Sequence, residues 1–128
     1  MKLCFKGYIS SRKLNDGNII PQKVQNLVIR SACKDKNFDF SLSATEYGMK
    51  DSFLILNQIL KDLKKNKYDG IAFYSIDQLP IKIKKTKIIL NDIVKNKKNI
   101  YFALENILIT NKKKLLELLD LIKIKTIV

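Results

Sequence analysis

Gly70-Ile71-Ala72-Phe73-Tyr74-Ser75-Ile76-Asp77-Gln78 is the stretch that decides the fold of this 128-residue chain. The segment from Ile71 to Ile76 is almost continuously apolar, which is typical of a strand that is buried on both faces in the middle of a parallel sheet. Polar residues return at Ser75, Asp77 and Gln78, where that strand is expected to end. Because parallel strands require crossover connections, helices are expected on either side of this segment.

The rest of the chain alternates between strand and helix patterns in the way that this central strand requires. Alternating or continuous apolar residues predict strands at 3–9, 38–42, 71–76 and 100–104, with a possible closing strand at 122–128. Apolar residues at helical spacing predict helices at 21–32, 51–63, 86–94 and 112–121. Asp51 or Ser52 is the expected cap of the second helix.

This order predicts an α/β fold, namely a flavodoxin-like open parallel sheet of four or five strands with helices on both faces. The whole chain, 1–128, is expected to form a single domain. The chain contains no apolar run of the roughly 20 residues that a membrane span needs, and its start does not resemble a signal peptide. We therefore expect a cytoplasmic protein without membrane insertion.

Residue types that are absent or rare exclude several kinds of site. The chain has no histidine, which excludes Ser-His-Asp and Cys-His triads and imidazole metal sites. Its two cysteines, Cys4 and Cys33, cannot form a thiolate zinc site alone and are expected to be reduced core residues. The four glycines are scattered, so neither a dinucleotide fingerprint nor a P-loop is present.

The formal net charge of +13 has two competing explanations. A basic chain can bind nucleic acid, but only Arg12 and Arg30 of the 25 basic residues are arginines, the preferred residue for phosphate and guanine recognition. The abundance of Lys, Asn and Ile is equally well explained by an AT-rich genome. We therefore do not expect nucleic acid as the partner, and an anionic small molecule is the alternative.

Some lysines are placed where they could favour such an anion. One group falls at helix carboxyl ends, on the edge opposite the candidate site, where it complements the helix dipoles without any ligand: Lys61, Lys64, Lys65, Lys67, Lys95, Lys97 and Lys98. A second group begins helices, where positive charge is unfavourable for the dipole: Lys82, Lys84, Lys85, Lys87, Lys112, Lys113 and Lys114. We expect the second group at the same edge of the sheet as the strand carboxyl ends, although it could equally be a solvated face.

Polar residues follow each predicted strand, and open α/β sheets bind ligands at this edge. Three carboxylates are candidates for acid–base catalysis: Glu46, Asp77 and Glu105. The candidate ligand-binding residues are Ser10, Ser11, Arg12, Ser43, Tyr47, Ser75, Gln78 and Asn106. Arg12 would hold an anionic group and Tyr47 could stack on a ligand. The carboxylates could bind Mg²⁺, but their spacing specifies no metal, and the cofactor is unknown.

Four short motifs, in order, resemble the catalytic domain of serine recombinases, the resolvases and invertases. They are Gly7-Tyr8-Ile9-Ser10, Gln25, Tyr74-Ser75-Ile76-Asp77-Gln78-Leu79 and Phe102-Ala103-Leu104-Glu105. The resemblance covers roughly residues 3–106 and implies a flavodoxin-like sheet. It also implies that the chemistry is lost, because Arg12 occupies the position of the nucleophilic serine and Ser10 that of an arginine. Gln78 and Ile81 replace the arginines of a phosphate clamp, which would remove transition-state stabilisation.

The chain also resembles, essentially end to end, a small group called sporadic carbohydrate cluster proteins. The matching stretches are Phe5-Lys6-Gly7-Tyr8-Ile9-Ser10-Ser11-Arg12, Asn18-Ile19-Ile20-Pro21-Gln22, Leu42-Ser43-Ala44-Thr45-Glu46-Tyr47 and Phe102-Ala103-Leu104-Glu105-Asn106. This resemblance implies a role in surface-polysaccharide biosynthesis without specifying a reaction or catalytic residues.

Three functions remain open at this point. The first is an enzyme or accessory protein that acts on or binds an anionic sugar or nucleotide-sugar. The second is a non-catalytic regulatory or interaction protein of the same pathway, and the third is a nucleic-acid-binding domain derived from a resolvase. A homodimer is possible, because a strand at the edge of the sheet can pair with another copy.

Overall fold

The computed structural model describes residues 2–47 and 53–127 of the chain. Its strands are β1 (Cys4–Ser10), β2 (Asp39–Glu46), β3 (Gly70–Phe73), β4 (Asn99–Phe102) and β5 (Ile107–Ile109). Its α-helices are α1 (Gln22–Asp35), α2 (Leu54–Lys64), α3 (Ile83–Lys95) and α4 (Lys112–Ile127). A short 3₁₀ turn at Ile76–Gln78 follows β3.

The strands form one sheet in the order β2-β1-β3-β4-β5. The first four are mutually parallel and β5 runs antiparallel to β4. This confirms the predicted α/β fold with its open, flavodoxin-like sheet, and every residue of the central strand β3 is buried. The polar residues that follow β1, β3 and β4 therefore lie at one edge of the sheet, called here the carboxyl edge.

Alternation along the strands builds a core on each face of the sheet. Tyr8, Phe73 and Phe102 point to the face covered by α2, α3 and α4. Phe5 and Tyr101 point to the opposite face, where α1 packs. Because successive strand residues point to opposite faces, one apolar run supplies both cores.

The expected closing strand at 122–128 is wrong. Residues 122–127 continue helix α4, and Val128 lies outside the described residues. The fifth strand is Ile107–Ile109, which returns antiparallel to β4 after a tight turn containing Asn106 in the left-handed region at φ 55°. Three apolar residues are too few to distinguish a strand from a loop by periodicity alone.

Other predictions on the elements have mixed outcomes. Asp51 and Ser52, the expected caps of α2, lie outside the described residues. Cys33 is fully buried and burial raises the pKa of its thiol to about 11, so it is a protonated core residue, as predicted. Cys4 is half-buried and also free.

In the described part of the chain, no helix combines the length and the apolar character that crossing a bilayer requires.

Replacing Gly70 with alanine should destabilise the fold. An added Cβ would lie 2.3 Å from the carbonyl oxygen of Asn99 and 2.7 Å from the Phe5 ring, and the backbone contact cannot yield without distorting the pairing of β3 with β4. Overpacking of this kind costs about 1–3 kcal/mol. Urea unfolding followed by circular dichroism measures it, and an unchanged unfolding midpoint for Gly70→Ala would contradict this close approach.

Candidate functional site

Glu46, the last residue of β2, binds the start of helix α2. Its carboxylate accepts hydrogen bonds from the backbone N–H groups of Ile55, at 3.0 Å, and Leu56, at 3.2 Å. The residue before the helix is Phe53, whose side chain has no acceptor with which to cap these groups. Glu46 is 2% exposed, so its carboxylate is a buried acceptor that satisfies the helix N-terminus.

Tyr8 connects this carboxylate to Arg12. The Tyr8 hydroxyl donates to Glu46 Oε1 at 3.1 Å and accepts from Arg12 Nη2 at 3.2 Å. Burial, as the main cause, raises the pKa of Tyr8 far above its usual value, so the phenol stays protonated and can donate. Arg12 Nη2 also donates to the Gln78 carbonyl oxygen at 2.9 Å, which ties the loop after β1 to the loop after β3.

Glu105 does for the 3₁₀ turn what Glu46 does for α2. Its Oε2 accepts from the Ser75 hydroxyl at 2.7 Å, and its Oε1 accepts from the Ile76 N–H at 3.2 Å. Ser75 is fully buried and its hydroxyl also accepts from the Asp77 N–H at 3.1 Å. The second carboxylate is therefore bound to the amino end of the turn that follows β3.

A buried amide network lies between β1 and β3. Gln25 bonds both backbone groups of Ser10, accepting from its N–H at 3.0 Å and donating to its carbonyl at 2.8 Å. Gln78 donates to Gln25 Oε1 at 2.9 Å and accepts from the Tyr74 N–H at 2.7 Å. Ser10 and Gln25 are 0% exposed and Gln78 is 2% exposed. This buried network therefore holds together the ends of β1 and β3 at the carboxyl edge.

The remaining candidate residues are dispersed. Ser11 is exposed, and its hydroxyl donates to the Glu46 carbonyl at 3.4 Å. Ser43 lies within β2, which extends to Glu46 rather than ending at 42 as expected, and it donates to Asn26 of α1 at 2.7 Å. Tyr47 is 69% exposed at the end of the described range.

Asn106 and Asp77 have backbone as well as side-chain roles. Asn106 adopts φ 55° in the β4–β5 turn and accepts from the Tyr101 hydroxyl at 3.0 Å. The Asp77 carbonyl accepts from the Asn15 N–H at 2.8 Å, which helps to dock the loop between β1 and α1. Asp77 is half-buried.

A cleft of about 490 Å³ opens beside Arg12. Its lining residues are Arg12, Lys13, Leu14, Asn15, Gly17, Phe53, Leu79, Pro80 and Ile81. The Arg12 guanidinium lies over the Phe53 ring, 4.3 Å from its centroid, which is a cation–π geometry. The cleft thus combines cationic side chains with an apolar wall.

Sequence reasoning identified Arg12 but missed most of this lining. Phe53 falls within the helix predicted at 51–63, whereas in the structure it precedes α2 at the carboxyl edge. Leu79, Pro80 and Ile81 directly follow Gln78, so their position after the central strand was the signal that could have identified them. Polar residues at strand ends also supply the acceptors that helix N-termini require, so residue type alone does not separate the two roles.

The three candidate catalytic carboxylates do not form one group. Glu46 lies on β2 and Glu105 follows β4, and three strand spacings between these elements amount to about 14 Å. Within residues 2–47 and 53–127, no cluster of three acidic or cysteine side chains is arranged to hold a metal ion. Glu46 binds the N-terminus of α2 and Glu105 binds the start of the 3₁₀ turn, and these two sites are separate.

The expected position of Lys112, Lys113 and Lys114 is wrong. Because β5 runs antiparallel, the chain returns to the opposite edge of the sheet before α4 begins. Lys112 accordingly lines a cavity with Lys95 and Lys97, near the end of α3. The group at the start of α3 does lie at the carboxyl edge, where Lys82 precedes the helix and Lys84 and Lys85 are in its first turn.

Comparisons with known proteins identify the fold and leave the family open. No family model matches the chain, and no curated protein matches it. A solved structure that is similar is the N-terminal catalytic domain of TP901-1 integrase, with a TM-score of 0.64 and 18% sequence identity. The alignment covers 94% of this chain and 93% of that one. The chain therefore has a resolvase catalytic-domain-like fold.

Replacing Glu46 with glutamine should destabilise the protein. The amide keeps the shape of the carboxylate, but its NH₂ group cannot accept from the N–H groups of Ile55 and Leu56, and the charge at the helix N-terminus is lost. Hydrogen bonds to a charged acceptor contribute about 1.5–3 kcal/mol, and we expect a loss of that size in urea unfolding. Glu117→Gln, on the exposed face of α4, is the matched control. Equal stabilities of the two variants would contradict the capping role.

Proposed function

We propose that this protein binds an anionic sugar or nucleotide-sugar in the Arg12 cleft, as a non-catalytic accessory protein of surface-carbohydrate biosynthesis. The observation that carries the proposal is that cationic and acidic side chains at the carboxyl edge have different surroundings. Arg12 and Lys13 line a cleft, whereas the carboxylates of Glu46 and Glu105 are bound to helix beginnings. Cations therefore line the space where a ligand would lie, and the Glu46 and Glu105 carboxylates are bound to backbone N–H groups elsewhere.

The cleft suits a ligand with one charged and one apolar part. Its volume of about 490 Å³ is within the range of small-molecule sites, roughly 300–1,000 Å³. Arg12 and Lys13 can pair with phosphate or carboxylate oxygens. Phe53, Leu79 and Pro80 supply the wall against which a sugar or base ring can pack. A nucleotide-sugar contains both parts.

Recombinase chemistry is not part of this proposal. In the resemblance to serine recombinases, Arg12 occupies the nucleophile position, and a guanidinium cannot form a phosphoserine link. Of the neighbouring hydroxyls, Ser10 is fully buried, and Ser11 donates to the Glu46 carbonyl. A fully buried Ser10 hydroxyl is not accessible to a DNA phosphate.

The assignment to surface-carbohydrate biosynthesis has a separate basis. It depends on the sequence resemblance to the sporadic carbohydrate cluster group, and the cleft contributes only the ligand chemistry.

Thermal stabilisation by nucleotide-sugars and sugar phosphates tests the proposal. A ligand present at 100 times its Kd should raise the free energy of unfolding by about 2.7 kcal/mol, and Arg12→Ala should abolish the gain. Lys13→Ala should weaken binding without disturbing the bond from Arg12 to Gln78. Arg30→Ala is the matched control, because Arg30 lies on α1 and is not in the cleft lining. Stabilisation that survives both cleft substitutions would contradict the proposal.

Duplex DNA in the same experiment distinguishes the nucleic-acid alternative. Lys95, Lys97 and Lys112 are brought together at the edge of the sheet opposite the cleft. Phosphate binding there would fall steeply with salt and would respond to substitution of those lysines, not of Arg12. Stabilisation by DNA alone, with that pattern, would replace ligand binding in the cleft as the function.

A further inference from the structure

A groove with an apolar floor runs between helices α2 and α3 on the outer surface of the domain. Two adjoining cavities of about 580 and 520 Å³ form it, and they share Asn57, Ile88 and Ile89. The groove extends from Phe53 and Pro80 at one end to Asp92 and Lys95 at the other. From Lys85 to Lys95 the helix rises about 15 Å, which is the length of three helical turns.

The groove exposes more apolar side chain than folding of this domain requires. Leu54 is 75% exposed and Ile88 is 70% exposed, one on each wall. Ile89, beside Ile88 on the same wall, adds a third apolar side chain to the lining. A single exposed leucine is ordinary, but apolar side chains on facing walls of one groove mark a binding surface.

The rim of the groove is positively charged. Lys85, Lys87 and Lys95 line it. The acidic residue of the lining, Asp92, is 3.4 Å from the Lys64 ammonium and is neutralised by it. The partner that complements this groove has an apolar stripe flanked by carboxylates.

We propose that the α2–α3 groove docks an acidic amphipathic helix of a partner protein. Such a helix places its apolar residues, at positions i, i+3, i+4 and i+7, on Leu54, Ile88 and Ile89. Its flanking carboxylates pair with Lys85, Lys87 and Lys95. Three turns match the length of the groove.

A second copy of this chain is a poorer occupant. Each copy carries a formal net charge of +13, and two apposed grooves would bring lysine rims together. An acidic helix relieves the charge that a second copy would double. The experiment must therefore distinguish self-association through the groove from binding of an acidic helix.

Fluorescence anisotropy with designed peptides tests the proposal directly. The probes are a 14-residue amphipathic helix with leucines on one face and glutamates flanking them, the same peptide with lysines for glutamates, and a scrambled acidic peptide. We expect the acidic amphipathic peptide to bind with a Kd of about 1–100 μM and the lysine version at least tenfold more weakly. The scrambled peptide should also bind at least tenfold more weakly, since it lacks the apolar stripe.

Variants of exposed residues localise the binding. Ile88→Glu should weaken binding of the acidic peptide at least tenfold, and Leu27→Glu should leave its affinity unchanged. Leu27 is a matched control because it is 58% exposed on α1, which packs on the other face of the sheet. Lys85→Glu combined with Lys95→Glu should weaken binding and reduce its dependence on salt.

Four results would overturn the proposal. The first is no binding of the acidic peptide at about 1 mM, and the second is equal binding of the scrambled or lysine peptide. The third is an equal effect of Ile88→Glu and Leu27→Glu on binding, and the fourth is a dimer in sedimentation that Ile88→Glu dissociates. The last result would assign the groove to a second copy. Circular dichroism of each variant confirms that it is folded, so that lost binding reports on the groove.

Discussion

The arrangement of the carboxyl edge depends on the need of helix N-termini for hydrogen-bond acceptors. The first N–H groups of a helix have no partner within it, and leaving them unpaired in a buried setting is costly. Helix α2 follows Phe53, which cannot cap it, and Glu46 of β2 supplies the acceptor. Glu105 does the same for the amide of Ile76 in the turn after β3. In the described part of the chain, every buried side-chain nitrogen and oxygen has a partner.

The Glu46 cap is also linked to the Arg12 side chain. Glu46 accepts from Tyr8, Tyr8 accepts from Arg12, and Arg12 donates to the Gln78 carbonyl. The guanidinium is therefore fixed against Phe53 by bonds that begin at a helix N-terminus. A preorganised cation loses little conformational freedom when it binds an anion, which favours ligand binding. The same bonds occupy both oxygens of the Glu46 carboxylate.

The fold could be predicted from the sequence because its signals are local and mutually consistent. The unbroken apolar run from Ile71 and the helical spacing on either side of it leave one sensible topology. The hairpin return at Ile107–Ile109 could not be predicted, since three residues carry no periodicity, and the edge assigned to Lys112 was wrong as a result. The roles of Glu46 and Glu105 were also beyond the sequence. Whether a carboxylate faces a cleft or a helix N-terminus depends on tertiary placement, and residue type is the same in both cases.

The central claim is that the polar side chains of this edge support the structure and that the Arg12 cleft receives the ligand. Amide chemical-shift mapping of ¹⁵N-labelled protein, titrated with uridine diphosphate glucuronic acid, tests it most directly. The claim predicts progressive shifts for Lys13, Asn15, Gly17 and Phe53, with Asn106 and Lys112 unchanged. Shifts centred on Glu105 and Asn106, or on the lysines of the opposite edge, would contradict it.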